Sequence, residues 1–300
     1  MHILMTTETA TRPIPVIDTV LDDRDVGLCR FGENSLIVTS FNNTRKMQRG
    51  HAEYQTEVVK SYINSYLDTV SDEEENDAIG STFRISNDGG ITFGKIYKSP
   101  VSSPHGPTEL SDGTVLWVGY VFNTEDRAED FREHIEAHKI NTEDGTTEFI
   151  GIIPDIYENG EHITPSEPYV IELSDNSLLC HIRSEENFST YQTVSTDKGK
   201  TWSVPQRILD NLGGAPCHIF RHSSGVLMSL YGYRQPPFEI RAMFSTDEGK
   251  TWDKDHTLYV NGFSDDLGYP ATVELPDGSL LTVFYAKAEK DGPCVIMKQH

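Results

Sequence analysis

Three residues capable of acid, base or nucleophile chemistry occur at the same place in a repeated pattern. Asp25, Glu167 and Tyr269 each stand nine residues before the turn of a strand–turn–strand unit, and Pro104 and Pro216 hold the equivalent places in the other two units. A carboxylate can take up or release a proton, and a phenol beside a base can act as a nucleophile. The pattern therefore predicts a catalytic group of two carboxylates and one tyrosine, if the repeats converge on one site.

The other strand of each unit contributes further side chains. The residues seven positions after the turns are Phe41, Tyr120, Arg183, Gly232 and Tyr285, and Arg234 follows Gly232 closely. Arginine binds carboxylates through a planar fork of two hydrogen bonds. A pocket made from these positions would hold carboxylates, tyrosines and at least one arginine.

A repeat of β-hairpins sets these positions. The turns lie between apolar strands at Asn34, Gly113, Asn176, Gly225 and Gly278, so they are 79, 63, 49 and 53 residues apart. About 50 residues per unit is typical of a four-stranded propeller blade, and the larger separations contain insertions. The first strand of each blade begins near the central axis of a propeller, which would bring equivalent positions around one pocket.

A second motif supports the propeller. The pattern Ser-x-Asp-x-Gly-x-Thr-aromatic occurs at residues 86–93, 195–202 and 245–252, and a degenerate copy lies at 141–148. The Asp can bond to nearby backbone and the Gly accepts positive φ, so the motif indicates a tight turn with an aromatic ring packed beneath it. Because the unit repeats with its own turn motif, a propeller is favoured over a sandwich. We assign the motif a structural role.

We therefore expect a single all-β domain over residues 1–300, a β-propeller of four-stranded blades. Five blade-starting strands are visible, and residues 3–7 and 14–20 suggest the third and fourth strands of a further, incomplete first blade.

The longest insertion predicts a helix at about residues 52–72. Its apolar residues recur every four positions and form one broad face, at Tyr54, Val58, Tyr62 and Tyr66 with Val59, Ile63 and Leu67 beside them. We expect this face to pack over a blade edge and the acidic run at 72–75 to end the helix. The alternative is a lid beside the pocket.

Charge and composition exclude several classes of protein. The chain has 25 Lys and Arg against 47 Asp and Glu, a net charge of −22, which disfavours nucleic-acid binding. No apolar run approaches the ~20 residues of a membrane helix. The N-terminus has no basic region, apolar segment or cleavage site, so the chain as it stands is predicted to be cytoplasmic, whereas a longer N-terminus would allow secretion.

The sequence predicts neither a metal nor a cofactor. The four cysteines are widely spaced without a Cys-x-x-Cys pair, and we expect them to be buried thiols. Asp23 and Asp25 lie close together, but no full set of metal ligands accompanies them.

The chain resembles the Asp-box (BNR-repeat) sialidase-like glycosidases of bacterial type. The resemblance in fold rests on the three octapeptides, which are called the Asp boxes from here on. The resemblance in the site rests on two motifs. Glu167 and Arg183 are 16 residues apart, and Tyr269 lies in the sequence Gly-Tyr-Pro-Ala-Thr-Val. In sialidases such a glutamate assists a tyrosine nucleophile and such an arginine binds the substrate carboxylate. The resemblance implies these roles here, and it implies six blades, the first of them incomplete.

This sequence departs from the sialidase pattern in several places. The first-blade arginine and the acid/base aspartate are not found. Asp25 is either a further pocket carboxylate or a member of a surface ion pair with Arg24. Arg234 and Arg241 are alternatives for the third substrate arginine. His105 is either a substrate-binding group or a satisfied strand-edge histidine, and Tyr285 stands where many sialidases have a glutamate.

The resemblance implies a retaining exo-glycosidase that acts on a terminal acidic sugar similar to sialic acid. The predicted partner is thus a glycan or a small acidic sugar. Two alternatives stay open: an enzyme of the same fold with another chemistry, such as a different glycosidase or a polysaccharide lyase, and a non-catalytic sugar-binding propeller.

Overall fold

The computed structural model describes residues 2–3, 14–121, 133–210 and 216–299. Within these ranges the chain forms five blades of antiparallel strands, and the first four blades have four strands each. This is the all-β propeller expected from the repeat.

The N-terminal strands form a short ladder. β1 (His2–Ile3) pairs with β2 (Ile14–Pro15) over two residue pairs. Of the two strands predicted for an incomplete first blade, the second is a strand only at Ile14–Pro15 and not at residues 16–20, while residues 4–7 of the first lie outside the described residues. In the part of the chain that the structure describes, β1 and β2 pair only with each other.

The five blades follow one another along the chain, each as a meander of sequential strands. Blade 1 contains β3 (Arg24–Phe31), β4 (Ser35–Asn42), β5 (Gly80–Ser86) and β6 (Tyr97–Ser99), and blade 2 contains β7 (Thr108–Glu109), β8 (Val115–Val121), β9 (His134–Ile140) and β10 (Thr147–Ile152). A ladder of β11 (Ile156–Glu158) and β12 (Glu161–Ile163) precedes blade 3, which contains β13 (Pro165–Glu172), β14 (Leu178–Ser184), β15 (Thr190–Ser195) and β16 (Gln206–Leu209). Blade 4 contains β17 (Cys217–Arg221), β18 (Leu227–Tyr233), β19 (Glu239–Ser245) and β20 (Asp253–Tyr259), and blade 5 contains β21 (Gly268–Glu274), β22 (Leu280–Lys287) and β23 (Cys294–Gln299).

The hydrophobic core lies between the blades. Ile37 and Phe83 of blade 1 pack with Trp117 of blade 2, and equivalent clusters join each later pair of blades. The backbones of blades 1 and 2 approach closely at Gly27, where a Cβ would lie 2.4 Å from the backbone nitrogen of Gly106. A side chain at Gly27 would therefore force the inner strands of these blades apart.

The Asp boxes adopt one geometry in three blades. In each box the Asp Oδ1 accepts a hydrogen bond of 2.9 Å from the backbone N–H of the Thr four residues later, and Oδ2 accepts one of 2.6 Å from its hydroxyl. The Gly N–H donates to the Ser Oγ at 2.8 Å. In the second box the ring of Trp202 packs against blade 2, so the turn helps to join two blades.

The insertion between β4 and β5 differs from the expected single helix. It forms α1 (Arg45–Ala52), α2 (Glu57–Leu67) and α3 (Asp72–Ala78). The acidic run does not end the helix but starts α3, because Ser71 and Glu74 form a capping box and acidic side chains are favourable in a first turn.

The apolar face of α2 is not packed over a blade edge. Tyr54, Val58 and Tyr62 are 89%, 80% and 76% exposed, whereas Leu67 is buried with Val70 from the segment that follows. The expectation of a covered face was wrong, because periodicity identifies an apolar stripe without indicating whether another element covers it.

The described helices are all too short to cross a membrane. Cys29, Cys180 and Cys217 are buried as expected, whereas Cys294 is only partly buried, and all four thiols are free.

Candidate active site

The same backbone irregularity occurs at the start of three blades. Asp25, Glu167 and Tyr269 have positive φ values of 45°, 47° and 50°. Each lies where the pairing of the first strand with the second shifts by one extra residue, which is a β-bulge. Positive φ is costly for residues with a side chain and is found preferentially at functional sites. The three predicted chemical residues thus share one strained conformation.

Tyr269, Glu167 and Arg183 form a hydrogen-bonded chain. The Tyr269 hydroxyl donates to Glu167 Oε1 at 2.5 Å, and Arg183 Nη1 donates to Glu167 Oε2 at 2.5 Å. The Glu167 and Arg183 side chains are only 16% and 15% exposed. Residues 102 positions apart in the chain are therefore brought into direct contact by the blade geometry.

The environment keeps the Tyr269 phenol neutral. Burial raises the pKa of Tyr269 well above its usual range, and the negative charge of Glu167 raises it further. The tyrosine can therefore become a nucleophile only if its proton leaves as the new bond forms, and Glu167 Oε1 is placed to accept that proton.

Asp25 lies beside the same chain of groups. It lines one cavity of about 200 Å³ together with Glu167. Burial raises the pKa of Asp25 to about 6, and the charge of Glu167 adds to the shift. A carboxyl group with this pKa can carry a proton in mildly acidic solution and lose it near neutral pH, as a proton donor and acceptor must.

Arg234 and Tyr285 lie next to Tyr269. Arg234 donates through Nη2 to the Tyr285 hydroxyl at 2.9 Å and through Nε to the Leu267 carbonyl at 2.8 Å. Its guanidinium carbon is 5.7 Å from the Tyr269 ring centroid, and the Tyr285 ring is 5.8 Å from that ring. Both residues therefore belong to the cluster around Tyr269.

The structure places Arg241 elsewhere. Arg241 donates to Glu239 at 2.6 Å and to Asp255 at 3.1 Å, and its guanidinium lies 3.6 Å above the ring of Tyr233. The described contacts of Arg241 include none with Tyr269 or Glu167. Of the two alternatives, Arg234 is the arginine beside the site.

His105 is also away from the cavity wall. It is 8% exposed, and its ring packs against those of Tyr169 and His218 at 5.2 Å. Burial lowers the pKa of His105 well below its usual value. A neutral histidine inside a ring cluster does not provide a cation for a substrate carboxylate, and His105 is not among the described residues that line the cavity.

The sequence analysis missed two acidic residues of the cavity. Glu133 and Glu185 line it, and Glu133 hydrogen-bonds Tyr120. Glu185 directly follows β14, two residues after Arg183, so the position of Arg183 at the strand end could have drawn attention to it. Glu133 follows a segment outside the described residues, and it does not stand at any of the repeat positions from which the site was predicted.

The fold and this cluster define a sialidase-like β-propeller. Residues 69–282 match the family model described as a BNR repeat-like domain. Because the match covers more than half of the chain, the protein belongs to this family.

Solved structures support the fold assignment at low sequence identity. A protein of unknown function from Dyadobacter fermentans matches with a TM-score of 0.73 at 18% identity, over 97% of this chain and 79% of that one. A Hadza microbial sialidase matches with a TM-score of 0.64 at 12% identity, over 97% and 57%. A Trypanosoma rangeli sialidase in complex with sialic acid matches with a TM-score of 0.57 at 12% identity, over 92% and 44%. The chain thus spans about half the length of these two sialidases. A search of curated proteins returned no match.

Proposed function

We propose that this protein is a retaining exo-glycosidase of the sialidase type, with Tyr269 as nucleophile and Glu167 as its general base. The 2.5 Å hydrogen bond from the Tyr269 hydroxyl to Glu167 Oε1 carries the proposal, because it joins a nucleophile to a proton acceptor in a partly buried site. Membership of the BNR repeat-like domain family and the sialidase-like fold support it.

In the first step, Tyr269 Oη bonds to the anomeric carbon while Glu167 takes the phenolic proton. The bond from the anomeric carbon to the leaving oxygen breaks, and protonated Asp25 gives its proton to that oxygen. The product is a sugar bonded to Tyr269, with Asp25 ionised.

In the second step, water attacks the anomeric carbon and gives a proton to Asp25. The bond to Tyr269 breaks, and the phenolate recovers its proton from Glu167. Two displacements at one carbon retain its configuration.

A neutral tyrosine suits an acidic sugar better than a carboxylate nucleophile does, because it does not add a negative charge next to the sugar carboxylate. Arg183 and Arg234 flank Tyr269 and are the proposed cations for that carboxylate. The proposed substrate is therefore a terminal acidic sugar of a glycan.

A neutral sugar is the second candidate substrate. Four of the cavity residues are carboxylates, Asp25, Glu133, Glu167 and Glu185, and these would hydrogen-bond to hydroxyl groups without requiring a negative charge on the ligand.

The test is turnover of an aryl sialoside by Tyr269→Phe. This change removes the nucleophilic oxygen, so we expect kcat to fall below detection while sugar binding is largely kept. Tyr157→Phe is the matched control, since Tyr157 is 55% exposed and its hydroxyl bonds Asp155 away from the site.

Full activity in Tyr269→Phe would exclude the nucleophile assignment. Sugar binding without turnover in the wild-type protein would favour the non-catalytic alternative, and an unsaturated sugar product would favour a lyase.

A further inference from the structure

A second carboxylate is bonded to Arg183 beside the cavity. Arg183 Nη1 is bonded to Glu167, and Nη2 lies 3.2 Å from Glu185 Oε2. Glu185 also accepts a hydrogen bond of 2.5 Å from the hydroxyl of Ser166, which is buried. Each terminal nitrogen of the guanidinium therefore donates one hydrogen bond to an acidic side chain of the protein itself.

The side chains that line the cavity provide little positive charge. The described residues that line it include Asp25, Glu133, Glu167 and Glu185, but no lysine or arginine. A sugar carboxylate that approaches Arg183 thus meets Glu185 at the nitrogen it needs, and like charges at this distance repel.

Glu185 is able to leave this position. Its side chain is 41% exposed, compared with 16% for Glu167, and it follows the last residue of β14. Among the described contacts Glu167 and Glu185 each accept two side-chain hydrogen bonds, so the greater exposure of Glu185 makes it the easier of the two to displace.

We infer that Glu185 is a specificity-determining residue, which occupies the Arg183 nitrogen that an acidic sugar would bind and so weakens the binding of acidic relative to neutral sugars. This inference rests on the proposed function, which places the sugar at Tyr269. An acidic sugar must displace Glu185 and break a charge-assisted hydrogen bond, whereas an uncharged sugar has no such cost.

The experiment measures binding of N-acetylneuraminic acid and of its methyl ester by calorimetry. In Glu185→Gln we expect the Kd of the acid to fall about tenfold, because a hydrogen bond to a charged group is replaced by a weaker neutral one. The Kd of the ester should not change. Glu186→Gln is the matched control, since Glu186 bonds Thr164 and is not among the cavity residues.

The inference would be overturned if Glu185→Gln bound the acid no more tightly than the wild type does. It would also be overturned if the ester gained equally in affinity, or if no variant bound the acid. Glu185→Ala repeats the test without an amide, and circular dichroism checks that both variants fold.

The two proposals fail separately. A tenfold gain without turnover of any aryl glycoside would exclude the proposed function alone. Turnover that depends on Tyr269, without the gain in Glu185→Gln, would exclude this inference alone.

Discussion

At the scale of single residues, the site depends on side chains that a strained backbone aims inward. Asp25, Glu167 and Tyr269 share positive φ and a bulge at the same place in their blades. An extra residue in a strand redirects a side chain that regular pairing would place on one face of the sheet. The bulges thus explain how strand residues from three blades come together, since Asp25 and Glu167 line one cavity and Tyr269 bonds to Glu167.

Asp25 should act as the proton donor for poor leaving groups. Its pKa of about 6 lies above that of an ordinary aspartate, so the protonated form is populated below about pH 6 and is lost as the pH rises through that value. For a sialyl-oligosaccharide we therefore expect kcat to fall above about pH 6. In Asp25→Asn this activity should fall by about 10² to 10⁴.

An aryl sialoside provides the comparison for Asp25, since a phenolate leaves with little help from an acid. Asp25→Asn should keep most of the aryl activity, and Tyr269→Phe should lose it. Equal losses on both substrates in Asp25→Asn would mean that Asp25 does more than donate a proton.

At the scale of elements, the Asp boxes stabilise the blades from outside the site. Asp197 accepts two hydrogen bonds from Thr201, and the pKa of Asp197 is lowered to about 2 by these bonds. A lowered pKa in the folded state stabilises the protein above the ordinary pKa of about 4, and this contribution is lost as the pH falls through about 2.

Asp197→Ala should therefore lower the melting temperature by a few degrees at pH 7 and leave kcat unchanged. The difference from the wild type should shrink as the pH falls toward 2, because protonation removes the same contribution. Asp144→Ala in the degenerate copy should have a smaller effect, since the described hydrogen bonds of Asp144 are two from Thr146, whereas Asp197 accepts a third from Ser195. A fall in kcat without a change in melting temperature would show that the box acts in the reaction.

The helical insertion allows a second test at this scale. Leu67 is 1% exposed within a cluster of Leu21, Val70 and Ala78, so Leu67→Ala should cost about 2 to 5 kcal/mol of unfolding free energy. Val58→Ala should change it by less than about 0.5 kcal/mol, because Val58 is 80% exposed. Urea titration measures both, and a large loss in Val58→Ala would mean that another surface covers the face of α2.

At the scale of the whole molecule, net charge opposes the proposed substrate. A charge of −22 creates a repulsive field for an anionic sugar, while the attraction of Arg183 and Arg234 acts only at short range. Salt screens the long-range field more than it screens partly buried pairs, since the Debye length falls from about 30 Å at 0.01 M to about 10 Å at 0.1 M.

Added salt should therefore tighten the binding of an acidic sugar. We expect the Kd of N-acetylneuraminic acid to fall between about 0.01 and 0.1 M NaCl, whereas that of its methyl ester should stay constant. A Kd that rises with salt would mean that local arginine pairing dominates the interaction at every distance.

The sequence alone determined the fold and the inner positions of the blades. Turn residues such as Gly113 and Gly278 have the positive φ that their turns require, although the first hairpin uses Gly32 in place of Asn34. Counting from the turns selected Asp25, Glu167 and Tyr269, because the inner hairpins of blades 1, 3 and 5 have the same length and the same bulge. This regularity let one-dimensional spacing predict three-dimensional proximity.

Only the tertiary structure decided which groups contact one another. The sequence left Arg234 and Arg241 as alternatives, but Arg234 bonds to Tyr285 beside the site, whereas Arg241 bonds to Glu239. Glu185 lies beyond the end of a strand, where the repeat no longer predicts the position of a side chain. Whether the apolar face of α2 is buried depends on which elements lie next to it. Local spacing specifies where a strand residue lies, whereas hydrogen bonding, burial and charge around it depend on blades that are distant in the chain.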